Sequence, residues 1–129
     1  MKAKRIDHVG VVVKDIAAAV ATFQHHYGFQ ADPGRGGDVP ALGIRNAFLP
    51  LGGTDLELVQ STADSGPVAK FAAERGEGLF MVSLEVDDLA GAVAHLRELG
   101  ARVGDPANGV AFVSMKSTHG VNLQLIQRQ

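Results

Sequence analysis

The sequence predicts an α+β fold in which two similar halves supply the strands of one curved mixed sheet. Three observations carry this. Residues 8–20 (HVGVVVKDIAAAV) match residues 81–93 (MVSLEVDDLAGAV), so the chain repeats itself. Within each copy the apolar pattern changes from that of a strand to that of an amphipathic helix. The chain has 129 residues, 46% apolar and 20% charged, enough for one domain, 1–129, with a real core and no covalent staples.

In each half the first strand is an apolar run rich in β-branched residues, Val9 pairing with Val82, Val11 with Leu84 and Val13 with Val86. Asp15 and Asp88 follow, each able to cap the free N–H groups of a helix first turn. Ile16, Val20, Phe23 and Tyr27 then recur at helical spacing, as do Leu89, Val93, Leu96 and Leu99, and both sets are expected to face the core. Gly28 and Gly100 stand where the helices should stop. Residues 30–43 (QADPGRGGDVPALG) predict a mobile loop.

The repeat resumes with 47–49 (AFL) against 111–113 (AFV) and 56–60 (LELVQ) against 123–127 (LQLIQ). These are strand pairs, joined through Gly52-Gly53-Thr54-Asp55 in one half and Lys116-Ser117-Thr118-His119-Gly120 in the other. The half-repeats are therefore 5–61 and 78–128. Between them, Pro67 marks the first turn of a short helix that buries Val68, Phe71 and Ala72 and ends at Gly76.

Composition excludes several functions. There is no cysteine, hence no thiol nucleophile, thiolate ligand or disulfide, which fits a reducing compartment. The net charge of −2 is interspersed, without a basic stripe for nucleic acid or a membrane surface. The run Val9 to Val13 is too short to span a bilayer, and no apolar signal core follows Lys2 to Arg5. A cytoplasmic protein is expected.

Segments 6–16 (IDHVGVVVKDI), 48–59 (FLPLGGTDLELV), 65–79 (SGPVAKFAAERGEGL) and 116–125 (KSTHGVNLQL) resemble the vicinal oxygen chelate (glyoxalase and bleomycin-resistance) superfamily, and most of all its methylmalonyl-CoA epimerases. The resemblance implies tandem βαβββ modules forming a cupped, glyoxalase-like mixed sheet. It also implies a divalent metal (Co, Zn, Ni or Mn) held by one side chain from the first and one from the last strand of each half, and a homodimer. In this sequence those positions are His8 and Met81, and Glu57 and Gln124. Epimerases usually carry two adjacent histidines where Phe80-Met81 stand, and a Glu where Gln124 stands. Asn46 lies on a strand that in some epimerases supplies another Glu.

These departures change the chemistry. A thioether is a soft ligand unsuited to the metals that imidazole binds, and an amide does not titrate. One reading is therefore an isomerase or lyase that moves a proton alpha to the carbonyl of a small acyl or CoA-thioester compound. Glu57 is its base, with a pKa raised by apolar surroundings; His8 is the acid or orienting group; Gln124 donates to the enolate oxygen. A second reading keeps a weakened metal on His8, Glu57 and Gln124. A third is a non-catalytic small-molecule binder of the bleomycin-resistance type.

Met81, Asn46, Lys116 and Ser117 are the candidate substrate-binding residues, with Lys116-Ser117-Thr118 facing an anionic group such as a CoA phosphate. Each has a plainer reading. A strand His is often a satisfied core residue, Met81 a gap-filler, and Lys116-Ser117 a hairpin turn. Phe80 is expected in the core. His25 and His26 are adjacent on a helix and cannot chelate together, and His119 is expected to be a turn residue. Arg35-Gly36-Gly37 lacks the spacing of a phosphate loop.

Overall fold

A computed structural model describes residues 1–128 and bears out the α+β class, with seven strands and three α-helices. The chain divides into two compact units. One is Val9–Phe80; the other takes in Met1–His8 and the residues from Met81 onward. Strands β1 (Ala3–Val12) and β5 (Gly78–Val86) therefore each contribute residues to both.

In the Val9–Phe80 unit the strand order is β2 (Gly37–Val39), β3 (Ile44–Leu51), β4 (Thr54–Ser61), then the end of β1. Strands β3 and β4 form an antiparallel hairpin closed by Gly52-Gly53, with Leu51 opposite Thr54. Two-residue hairpin loops need positive φ, and Gly52 has φ 70°. Helix α1 (Ile16–Tyr27) begins as predicted, Asp15 accepting from the Ala18 N–H at 3.1 Å, and ends at Gly28 with φ 74°. Its Ile16, Val20 and Phe23 pack on Val13, Leu49 and Leu58. Helix α2 (Pro67–Arg75) buries Val68 against Val12 and Val59, with Phe71 edge-on to Phe80 at 5.4 Å. Phe80 is thus a core residue, as expected.

In the other unit the order is the start of β1, then β5, β7 (Leu123–Ile126) and β6 (Val110–Val113). Strands β5 and β7 are parallel and β6 and β7 antiparallel. Helix α3 (Leu89–Glu98), capped by Asp88 on the Gly91 N–H at 3.0 Å, packs Leu89, Ala92 and Val93 on Val86, Ala111, Val113 and Leu125.

The repeat extends to a contact the sequence did not announce. Gln60, the last residue of the LELVQ segment on β4, accepts the Ile16 N–H at 2.9 Å. Gln127, its repeat partner, accepts the Leu89 N–H at 2.7 Å. Each half thus ties the end of its last strand to the first turn of its own helix.

Four expectations are corrected. Residues 30–43 are not a simple loop: 37–39 pair with Ile44–Asn46 as an edge strand, and a 3₁₀ turn spans Pro40–Leu42. The corresponding strand of the second half shrinks to a single bridge, Val103 to Val113, because Gly104, Asp105 and Pro106 break any ladder. Tyr27 and Leu99 are 63% and 71% exposed: Tyr27 is the last residue of α1 and Leu99 caps the end of α3. The second-half strand pair is joined not by a tight turn but by residues 114–122, with a 3₁₀ turn at Met115–Ser117. Among the described residues no helix is long and apolar enough to cross a membrane.

Candidate functional site

Each unit buries polar side chains on the sheet face turned away from its α1 or α3 core. In the Val9–Phe80 unit the residue is Glu57. Its neighbours Leu56 and Leu58 turn to the α1 core, so strand alternation sends Glu57 the other way, where it is only 7% exposed. Phe48 is its register partner on β3, and Asn46 lies two residues back on the same face. The Asn46 Nδ2–H donates to Glu57 Oε2 at 3.1 Å. The Asn46 Oδ1 is buried and has no hydrogen-bond partner, a state that costs free energy unless a ligand donor meets it. Arg35 lies over the Phe48 ring at 4.8 Å, held by Asp55 at 2.7 and 2.9 Å and by Asp32 at 2.8 Å. Arg35 is therefore a clamp from the 30–36 segment to the hairpin, not a phosphate loop. A groove of about 390 Å³ in this unit runs along Val11, Lys14, Ala18, Phe23 and Glu77, and neither Glu57 nor Asn46 lines it.

In the other unit Gln124 sits between Leu123 and Leu125, whose side chains turn to the α3 core. It is 7% exposed. Ser83 on β5 and Phe112 on β6 are its register partners, making a row across three strands. The Ser83 hydroxyl, fully buried, donates to Gln124 Oε1 at 2.7 Å. Met81 is two residues before Ser83, on the same face and half-buried. Phe112 is to Gln124 what Phe48 is to Glu57, so the repeat seen in the sequence holds to the register of single residues.

His8, 6% exposed, belongs to this unit and is fixed by Asp7. Asp7 is 2% exposed and accepts from Arg128 Nε at 2.6 Å, Arg128 Nη2 at 2.7 Å and Arg5 Nη2 at 3.0 Å. The Arg128 guanidinium, helped by His8 and opposed by burial, holds the Asp7 carboxyl down at about 2. Ionised Asp7 can only accept, so the 2.8 Å contact is His8 Nδ1–H donating to Asp7 Oδ2, which fixes the orientation of the ring.

Lys116 and Ser117 join neither group. Both are exposed in the 3₁₀ turn, and the Ser117 hydroxyl accepts the Arg102 N–H at 2.9 Å. His25 and His26 are exposed with rings edge-on, and His119 is an exposed turn residue with φ 56°.

Sequence reasoning missed Ser83, Asp7, Arg128, Phe48 and Phe112. The signals were faint: a hydroxyl in an apolar strand where the first copy has Gly10, and an acid directly before His8. The aromatic pair was visible only as part of the AFL and AFV match.

The donor set does not fit the divalent cation that the resemblance implies. Gln124 has its carbonyl oxygen engaged by Ser83 and so presents its N–H end, and Met81 offers a thioether. Among the described residues no three His, Cys, Asp or Glu side chains are grouped to hold a metal ion.

The profile of the glyoxalase-like domain family matches residues 6–125. An ethylmalonyl-CoA/methylmalonyl-CoA epimerase of Cereibacter sphaeroides is 32% identical over 95% of this chain and 97% of its own length. Among solved structures, a Streptomyces coelicolor methylmalonyl-CoA epimerase variant in complex with 2-nitronate-propionyl-CoA superposes with a TM-score of 0.87 at 27% identity, covering 98% of both chains. A methylmalonyl-CoA epimerase in complex with methylmalonyl-CoA and NH4+ has the same TM-score and identity, over 98% of this chain and 95% of its own.

Proposed function

Because the chain belongs to the glyoxalase-like family, and within it to the methylmalonyl-CoA epimerases, we propose that it moves the proton alpha to the carbonyl of methylmalonyl-CoA or a close acyl-CoA homologue, by acid–base chemistry without a metal. It is an isomerase of this superfamily rather than a non-catalytic binder of the bleomycin-resistance type.

On the reading that half-repeats 5–61 and 78–128 act as one domain, each residue has a role its surroundings suit. Glu57 takes the proton from the α-carbon, and the electron pair moves into an enolate whose charge lies on the thioester oxygen. Gln124 donates an N–H to that oxygen. His8, its ring fixed by Asp7, returns a proton to the α-carbon from Nε2; Glu57 and His8 then exchange protons with water to reset. Asn46 holds one Glu57 oxygen and leaves its own buried Oδ1 for a donor on the ligand. Met81 lines the acyl group. Lys116, in its exposed turn, meets the anionic end of CoA; Ser117, committed to the Arg102 N–H, shapes that turn.

The observation that carries this reading is the buried carboxylate of Glu57, which accepts from the Asn46 amide on the sheet face turned away from the α1 core. The test is exchange of the methylmalonyl-CoA α-proton in D2O, followed by proton NMR. Glu57→Gln should slow it about 10³-fold, within the usual range for loss of a general base. Exchange within tenfold of the unaltered protein would remove Glu57 from the mechanism.

We further propose a cytoplasmic homodimer. The lack of cysteine supports the compartment, and exposed apolar side chains such as Tyr27 and Leu79 support a partner surface. Light scattering at micromolar concentration reads the mass directly.

A further inference from the structure

Gln124 has an amide with two chemically opposite ends, and only one of them can serve an enolate. The oxygen would repel the developing charge; the nitrogen would stabilise it. Nothing in a glutamine itself decides which end faces out. The decision falls to whatever binds the other end, and here that partner is a single side chain. Ser83 and Gln124 are register partners on the parallel strands β5 and β7, with side chains on the same face. The Ser83 side chain is fully buried, so its hydroxyl proton has no water to go to and passes to Gln124 Oε1 at 2.7 Å. An sp² amide carries its oxygen and nitrogen about 120° apart, so with Oε1 drawn to β5 the Nε2 is directed away from it. Among the described residues Nε2 donates no hydrogen bond, although Gln124 is more than nine-tenths buried. A donor held in one orientation and not spent on the protein is what an oxyanion site needs.

We propose that Ser83 is a positioning residue that fixes Gln124 as a hydrogen-bond donor, so that the last strand offers an N–H where a carboxylate would offer an oxygen. This rests on the role given to Gln124 above and adds its cause. It also specifies the ligand group: an oxygen that gains negative charge during the reaction, rather than a cation. Ser83 itself does not touch the substrate.

Two measurements on the full chain test this. In ¹⁵N-labelled protein the Gln124 side-chain amide should give a dispersed, well-ordered pair of resonances. Ser83→Ala should move that pair towards the positions of a mobile glutamine and lower its order parameter, and unmoved resonances would overturn the proposal. The second measurement is turnover of methylmalonyl-CoA. Ser83→Ala should lower kcat about tenfold with KM within twofold, and should do nothing further in a Gln124→Ala background, which by itself loses about 10²–10³-fold. An equal loss in both backgrounds would mean that Ser83 acts on folding alone, and would overturn the proposal. If Ser83→Ala does not fold, Ser83→Cys keeps the volume with a weak donor and carries the same expectations. If the unaltered protein does not turn over methylmalonyl-CoA, the enzymatic reading fails, and the amide resonances still decide the role of Ser83.

Discussion

Asparagine at position 7 would keep the shape of Asp7 and remove its charge. The charge is buried, with the side chain only 1% exposed, and it serves Arg128, Arg5 and the His8 ring together. The Asp7 carboxyl is held at about 2 against an ordinary 3.8. A depression of nearly two units, at about 1.4 kcal/mol per unit, is a stabilisation of about 2 kcal/mol at neutral pH. The folded value lies below the unfolded one, so this contribution is complete above about pH 4 and is lost as the pH falls through 3 towards 2. By pH 3 about half of it is gone. The chain has no Trp and a single Tyr, so urea unfolding is best followed by far-ultraviolet circular dichroism. The unaltered protein should exceed Asp7→Asn by about 2 kcal/mol at pH 7 and by about 1 kcal/mol less at pH 3. A gap that is the same at both pH values would refute the reasoning, because it would place the cost in lost contacts rather than in the Asp7 charge.

Two further outcomes follow from the same geometry. Replacing Gln60 or Gln127 with leucine should each cost about 1–2 kcal/mol in urea unfolding, because a helix first-turn N–H then loses its acceptor. The two costs should agree closely, since the contacts are repeats of one another. Dialysis against a chelator should leave α-proton exchange within twofold of its starting rate, because Gln124 presents nitrogen and Met81 a thioether. A loss reversed by added cobalt would restore the metal reading.

Much of this was legible because the chain states its plan twice. The match of 8–20 with 81–93 located both Asp caps and both helices to within a residue or two, while the first strands begin earlier, at Ala3 and Gly78. The pairing of LELVQ with LQLIQ placed Glu57 and Gln124 at equivalent points, and their phenylalanine partners share the same register. What stayed hidden depends on pairing rather than on pattern. Gly37-Asp38-Val39 opens with two poor strand formers and pairs along the edge that β3 offers it. Tyr27 and Leu99 obey helical spacing but sit at the ends of their helices and stay exposed. Ser83 reads as an ordinary strand residue until its partner across β7 is known. Arg128 is distant from Asp7 in sequence and adjacent to it only once β1, β5 and β7 are assembled.

The two departures from the epimerase pattern are consistent with one another. Proton abstraction beside a thioester builds negative charge on its oxygen, and a divalent cation tolerates an anionic ligand beside that charge because the cation's own charge outweighs both. Without the cation, a carboxylate at position 124 would oppose the enolate. Two unit charges 4 Å apart at an effective dielectric of 20 repel by about 4 kcal/mol. Exchanging the carboxylate for an amide removes that repulsion, and the Ser83 hydroxyl turns the amide so that it attracts. On the proposed metal-free mechanism, a thioether at Met81, poorly suited to such a cation, and an amide at Gln124 are thus one change in chemistry made at two positions. In the proposed mechanism Glu57 remains a carboxylate because abstraction of the proton requires a base whether or not a metal is present.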